Sequence, residues 1–580
     1  MNTKQLFRIA AACLVSTTAF SLTMFSFHAD ISLAALPLSL AFTAALFFTV
    51  RALFVRDAVR VLPVFRELLQ YEPYLLLIAF VLRRAGNAGT PLAIDALSVL
   101  LWLVSSALVL VLLHFVNPKR AGALDARWGA ALIAKKRRGL SLLCFELVSW
   151  IDALVQAVFM VLLLNVFIVQ LYEIPSESMV PEFLIKDRVI VFKTVSGPKF
   201  PLSTIGLPCL RPYRRGDIVV FRNPHYANDR KSEVRAFISQ IVYMVSLTTV
   251  NLNVDADGNP KADPLVKRVV GVAGEQLMMQ DGVLYARTAE HADWRVVADD
   301  ARWAAWNLHV VRPDVKGGIQ QFPLSERDYN TMLSLEAERN ALDMQAVAAE
   351  CGALAERFGV LSAGFAGERV AGGEPLSAQE RSVHALFSRA SQLARRLLQT
   401  DGGEAWFRAF MTDWTATTDA GCDRYEQANF RLNVLIKRTF GRLIVRNAEL
   451  LLLSARISAS DWSGDRELRE YLEQANALYL YTLLLDRRNM PAFPANAADG
   501  SPQYIPEHCY FMMGDNRFNS LDMRHSYEEW LAPLTPYDRY SATYYTNMQP
   551  QYVDRSRILG TTSFRFWPTS RMGVPGHTGL

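Results

Sequence analysis

The apolar run ALVQAVFMVLLLNVFIVQLY (residues 153–172) leads without a break into Glu173-Ile174-Pro175-Ser176-Glu177-Ser178-Met179-Val180-Pro181. About twenty apolar residues are enough to cross a bilayer. The segment that follows is of another kind. Two prolines hold the backbone extended or turning around two hydroxyls and a methionine. Taken alone, it also reads as a Ser-rich turn beneath a membrane helix.

Upstream, residues 6–27, 32–50 and 97–116 are further apolar runs of spanning length. A cleaved leader is the rival reading of the first. Its apolar core is too long for that, and a cut after Ala29 would put bulky Phe27 at the third position before it. Arg51, Arg56, Arg60 and Arg66 follow the second run. Lys119, Arg120, Arg127, Lys135, Lys136, Arg137 and Arg138 follow the one at 97–116, against a single Asp125. Basic loops mark the cytoplasmic side, so the run at 153–172 points outward. For both basic loops to be inside, the short apolar stretch 70–82 must cross as well. The expectation is five spans with a cytoplasmic N-terminus, and everything after Glu173 extracytoplasmic.

The charge balance agrees. Of the 580 residues, 1–172 carry 15 Lys/Arg against 8 Asp/Glu, and the rest 46 against 48. The formal net charge of +5 therefore belongs to the anchor, which speaks for membrane topology and against nucleic-acid binding. Hydrophobic residues make up 51% and charged residues 20%, which excludes wholesale disorder. Six dispersed cysteines without a CxxC pair, and the absence of HExxH, Walker and GxGxxG patterns, leave no support for a metal or nucleotide site.

Downstream, Asp187–Phe192 and Gly216–Phe221 are β-branched runs that read as buried strands. Val266-Lys267-Arg268-Val269-Val270-Gly271-Val272-Ala273-Gly274-Glu275 places a lysine inside an apolar strand. It is either a lysine snorkelling at a strand edge or one desolvated enough to be neutral and basic. Asp281-Gly282 between two short runs signals a hairpin. Met513-Gly514-Asp515-Asn516-Arg517-Phe518-Asn519-Ser520-Leu521-Asp522-Met523-Arg524 has the composition of a tight loop at a strand end.

These four elements, in this order, resemble the type I signal peptidases, membrane-bound Ser/Lys endopeptidases. The family's Pro-Ser-x-Ser-Met-x-Pro box is matched at Pro175–Pro181, and its Arg-Gly-Asp-Ile-Val-Val-Phe box at Arg215–Phe221. Its lysine box is matched at Lys267–Glu275, and its Gly-Asp-Asn-Arg-x-x-Ser-x-Asp-x-Arg box at Gly514–Arg524. The resemblance covers roughly 173–290 and 504–570. It implies Ser178 as nucleophile and Lys267 as general base. It also implies Ser176 with the Ser178 N–H as the oxyanion hole, and Ser520 orienting the lysine amine. Asp522 with Arg524 and Asp515 with Arg268 are the implied scaffold, and Met179 lies beside the substrate pocket. The implied substrates are preproteins with N-terminal signal peptides, cleaved after small residues at the first and third positions before the cut, with no cofactor. Chemistry agrees with those roles. Serine needs a base, and lysine serves only when burial lowers its pKa from about 10.4.

Departures from the pattern are Phe518 for Asp, Met523 for Ser, His525 for an aromatic, and Glu182-Phe183 for Thr-Leu. His525 also allows a rival triad with Asp522 and Ser178.

The expected organisation is a multi-pass helical anchor (1–172), a mainly β, signal-peptidase-like catalytic domain of antiparallel sheets in two parts (173–290 and 504–580), and a largely α-helical insertion (291–503). Within the insertion, helices are expected near 325–358, 377–399, 423–457 and 465–488, with capping boxes at Ser325–Asp328 and Ser377–Glu380. Packing on the core, binding a partner and restricting substrate entry are all open roles for it. Residues 236–252 read as a core helix or as an element on the membrane surface. Two other functions remain open: a Ser/Lys peptidase dedicated to one surface or pilus precursor, and a non-catalytic membrane scaffold.

Overall fold

The computed structural model describes residues 2–576 except 87–88, 134–138, 194–195, 227–228, 247–249, 251, 253, 255–260, 372–375, 418–421 and 454–463. Lys135, Lys136, Arg137 and Arg138 of the basic loop thus lie outside the described residues, as does part of the ambiguous segment 236–252.

Among the described residues, four helical stretches are long and apolar enough to cross a membrane: Thr3–Thr23, Ile31–Val55, Leu92–Phe115 and Leu140–Phe167. The expected third crossing, 70–82, lies in the helix Leu62–Ala85, which runs the length of the bundle but carries five charged side chains. Its direction can be read from its ends. Asp57, just before it, meets Arg127 of the second basic loop at 2.6 Å. Arg84, near its C-terminus, pairs with Asp95 at 3.0 Å and donates to the carbonyl of Leu202 at 2.7 Å. Both basic loops therefore sit at one end of the bundle, and residues 24–34 and 84–95 at the other.

The last span differs from expectation. Its helix stops at Phe167, and Val169–Glu173 form strand β1, so the sheet starts ahead of residue 173. The reason is local: Val-Gln-Leu-Tyr-Glu alternates, and it finds a partner strand in β2 (Arg188–Phe192).

The remaining strands are β3 (Ile218–Phe221), β4 (Leu265–Gly271), β5 (Glu275–Gln280), β6 (Val283–Thr288), β7 (Arg295–Val296), β8 (Met490–Phe493), β9 (Cys509–Met513), β10 (His525–Pro533), β11 (Thr543–Met548), β12 (Val553–Asp554) and β13 (Ile558–Trp567). One antiparallel sheet has the order β1-β2-β13-β3-β4-β9-β12. A second has the order β7-β6-β5-β8, and β10 pairs with β11. The β5–β6 hairpin turns at Asp281-Gly282, both at positive φ, as a two-residue turn requires.

The catalytic sheet and the anchor touch directly. Phe200, on the loop between β2 and β3, is buried against Phe80, Trp102 and Phe167 of the helical bundle. Burying such a ring is worth roughly 1.5–3 kcal/mol. Arg84 and Arg230 both donate to the neighbouring Leu202 carbonyl. Arg230 opens the helix Arg230–Val245, which therefore starts at this junction.

The insertion is helical as expected, with revised boundaries. Ser325 caps Glu326–Asn340, and Asp343 restarts the chain as Met344–Ala363. The Ser377/Glu380 box forms its reciprocal bonds but closes only a turn; the helix proper, Val383–Ser388, is capped by Ser382. Ala390–Gln399, Arg424–Leu453 and Arg466–Arg488 match expected stretches, whereas Gly403–Thr412 follows the Gly pair at 402–403 and was not anticipated. The insertion is continuous with the catalytic domain, because its core also contains Phe518, Leu534, Ala542 and Tyr544.

Candidate active site

Lys267 lies on β4, the fifth strand of seven, opposite Val219 of β3. The strand is nearly continuously apolar, so its interior position leaves Lys267 only 3% exposed. Burial pushes its amine down to about 8, partly opposed by Asp522 and Asp515. The amine donates to Ser178 Oγ at 2.7 Å and to the Val266 carbonyl at 3.0 Å. Among the described residues no carboxylate is within ion-pair distance of it.

Ser178 sits on the Pro-bounded loop after β1. Ser176 Oγ is 3.3 Å from Ser178 Oγ and is exposed. Met179 is buried with Ile174, Phe183, Val189 and Val191 beneath the loop. Phe183, one of the departures from the pattern, thus belongs to the packing that supports the serine.

The second loop runs from Gly514 to Arg524. A Cβ at Gly514 would come within 2.4 Å of the Ser178 carbonyl and 2.2 Å of Ser520 Oγ, so only glycine permits the approach. Asp522 accepts the Gly514 N–H at 2.9 Å and a forked pair from Arg524 at 2.8 and 2.9 Å. Burial pushes the Asp522 carboxyl up, but Arg524 outweighs it and holds the group below the usual carboxylate range. Arg268 forks onto Asp515 at 2.8 and 2.6 Å, reaches Gly216 O at 3.0 Å, and lies over the Trp303 ring. Burial raises the Asp515 carboxyl, with Arg268 opposing. Glu182, another departure, is buried 3.5 Å from the same guanidinium.

Ser520 is brought to the site but not onto the lysine. Among the described residues its buried Oγ has no hydrogen-bond partner, while the Lys267 amine is taken up by Ser178 and Val266. His525 does not reach Ser178. Its Nδ1 is 3.1 Å from Asn547 Oδ1, its Nε2 has no partner among the described residues, and burial pushes the imidazole well below its usual value. The triad rival therefore lacks its central bond.

Three contributors were missed in the sequence. Asn516 donates Nδ2 to Glu177 O and its N–H to Ser178 O, each at 3.1 Å. Arg517 forks onto Asp300 at 2.9 and 2.5 Å and donates to Gly514 O. Glu177 is buried with its carboxylate turned to the chain at 320–321. Asn516 and Arg517 were visible as members of the quoted box. Glu177, an acid between two serines, gave no signal.

Residues 147–304 and 465–567 match the model of the family described as signal peptidase, peptidase S26. Signal peptidase I of Pseudomonas aeruginosa is 29% identical over 189 residues, covering 31% of this chain and 62% of that protein. Signal peptidase I of Buchnera aphidicola subsp. Schizaphis graminum is 30% identical over 125 residues, covering 22% and 38%. The protein of the same name from subsp. Baizongia pistaciae is 40% identical over 65 residues, covering 11% and 21%. The chain thus spans from about a fifth to three fifths of the length of these curated relatives. No solved structure matches. The unmatched stretch 305–464 falls within the helical insertion, while the matched parts carry Ser178, Lys267 and the Gly514–Arg524 loop. These matches make the chain similar to the type I signal peptidases over the segments that carry the serine loop, the lysine strand and the Gly514–Arg524 loop.

Proposed function

We propose that the protein is a membrane-bound serine endopeptidase that removes N-terminal signal peptides from exported proteins. The observation that carries this reading is the 2.7 Å contact between Ser178 Oγ and a lysine amine buried without a carboxylate partner. A neutral Lys267 takes the Ser178 proton as Oγ attacks the scissile carbonyl. The oxyanion meets the Ser178 N–H and the Ser176 hydroxyl. Lys267 then returns its proton to the departing amine, leaving an acyl-ester on Ser178. Water, deprotonated by Lys267, attacks the ester, and the lysine proton restores Ser178. Asp522/Arg524 and Asp515/Arg268 hold the two loops in place. β1, at the edge of the sheet and just before Ser178, offers unpaired backbone to which an extended substrate adds as a strand.

The anchor fits five crossings with the N-terminus and both basic loops in the cytoplasm, and the catalytic domain outside the inner membrane. The arrangement of the Asp57/Arg127 and Arg84/Leu202 ends supports it. Membranes containing wild type should process a panel of unrelated preproteins, and those with Ser178→Ala or Lys267→Ala should not. Full processing by either variant would end the dyad assignment. Processing of a single precursor would narrow the enzyme to a dedicated peptidase.

A further inference from the structure

The helical insertion reaches both catalytic loops: its first end touches both, and its last helix touches the second. Residues 304–322 lead from the second sheet toward the helix Glu326–Asn340 and wrap the Ser178 loop. Glu177, 5% exposed, accepts the backbone N–H groups of Gln320 at 2.5 Å and Gln321 at 3.0 Å. Val180 and Leu184 share a small core with Leu308, Val311, Val315 and Ile319. Ala305 donates its N–H to Asp515 O at 2.8 Å and accepts that of Arg517 at 3.2 Å, which fixes Asn516 against Ser178 O.

The other end is the helix Arg466–Arg488. Arg487 donates Nη1 to the Ser520 carbonyl at 2.9 Å, and Arg524 donates Nη1 to the Arg487 carbonyl at 2.8 Å. Next to it, Arg488 forks onto Glu336 at 2.9 and 2.7 Å, tying the last helix of the insertion to the first.

We propose that the insertion is a clamp on the catalytic loops, with Glu177 and Arg487 as positioning residues, Glu177 holding the Ser178 loop and Arg487 the Gly514–Arg524 loop that packs on it. It rests on the peptidase reading and assigns that reading two further residues and a role for the insertion. A buried carboxylate that collects two N–H groups from a distant segment fixes the backbone one residue from the nucleophile. Without it the Ser178 loop loses the two hydrogen bonds that tie it to residues 320–321 and keeps only the apolar contacts of Val180 and Leu184 on that side. Attack geometry tolerates little: a displacement of about 1 Å can cost on the order of 100-fold in rate. The departure from the family pattern at Phe518 fits the same picture. That side chain is buried in the insertion's core, edge-on to Trp306 at 5.1 Å, inside the very loop that the insertion holds.

The test uses the full chain in detergent with a preprotein substrate. It compares wild type with Ser178→Ala, Glu177→Ala, Glu177→Gln and Arg487→Gln, and measures kcat, KM, the rate of Ser178 labelling by a serine-acylating lactam, and the thermal midpoint. Glu177→Ala should lose on the order of 30-fold or more in kcat and in labelling rate, with KM within about 3-fold. Glu177→Gln, which keeps one acceptor oxygen, should recover part of that loss. Arg487→Gln should lose about 10-fold in kcat with KM unchanged. Wild-type kcat in Glu177→Ala and Arg487→Gln, or a loss confined to KM, overturns the clamp. If Glu177→Ala does not fold, Glu177→Gln and Arg487→Gln decide: lowered kcat in either supports the clamp, and wild-type kcat in both overturns it. A wild type no more active than Ser178→Ala overturns the peptidase reading itself, which is a separate outcome.

Discussion

Lys267 in the catalytic sheet and Lys437 in the helical insertion are buried to nearly the same degree, 3% and 0% exposed. Burial pushes both amines down to about 8. Their neighbours differ. Lys437 is 2.5 Å from Asp538 Oδ2, donates to Phe410 O at 2.6 Å and lies over the Phe410 ring. Asn433 supports the same carboxylate at 2.7 Å. Lys267 has a hydroxyl and a carbonyl and, among the described residues, no contacting acid. A lysine in contact with an acid cannot release its proton without leaving a buried carboxylate uncompensated. A lysine facing only neutral oxygens loses little by giving the proton up and can take another from Ser178. Burial makes a lysine weakly basic, and the partner decides whether it serves as a base or a brace.

Exchanging each amine for a methionine should separate the two roles. Lys267→Met is expected to abolish preprotein cleavage, a loss on the order of 10³–10⁴-fold, with the thermal midpoint held or raised. Unfolding of that variant would make Lys267 structural and break the comparison. Lys437→Met should do the reverse. It strands Asp538 and should cost about 3–5 kcal/mol of stability in a denaturant titration, while the folded fraction keeps its specific activity. Adding Asp538→Leu to it should recover most of that stability. If the single and double variants are equally unstable, the pair is not what holds Lys437.

The sequence separates these lysines for a physical reason. Lys267 sits in a strand, where a period of two and a nearly unbroken apolar run make an interior amine conspicuous. Lys437 sits in a helix rich in charges, and nothing local shows that its face is the buried one. The serine loop, the lysine strand and the Gly514–Arg524 loop were legible because their chemistry is local to short boxes. Glu177, Arg487 and the packing of Phe518 were not, because their partners lie 143, 33 and more residues away and are chosen by tertiary packing. The departures from the family pattern carried information that could not be used without the fold. Phe518 and Met523 are core residues, and Glu182 is a buried neighbour of Arg268. The end of the last span was misjudged because Val169–Glu173 is as apolar as a helix end, yet finds a strand partner in β2.

Ser176→Ala tests a smaller contribution on the base side of the comparison. Loss of one oxyanion donor should lower kcat on the order of 100-fold, with Lys267 and its pH dependence unaffected. A Ser176→Ala enzyme with wild-type kcat would leave the oxyanion to the Ser178 N–H alone.

The gentlest probe is pH. In the proposed mechanism Lys267 acts as a neutral amine, so kcat/KM should climb about 5-fold between pH 7 and 8 and level off above pH 9, as its amine passes through about 8. Below that range the rate should fall about tenfold per unit. The sign for stability is the same. The unfolded lysine titrates near 10.4, so between about 8 and 10.4 the unfolded chain holds more protons and native stability rises with pH. Lys437 is pushed to the same value, so a limb near pH 8 does not by itself name its source. The Lys437→Met/Asp538→Leu enzyme does. It retains Lys267 and its surroundings, and its pH–rate limb should superimpose on that of wild type. A limb that disappears with Lys437 would transfer the titration to the insertion and remove the base from the catalytic sheet.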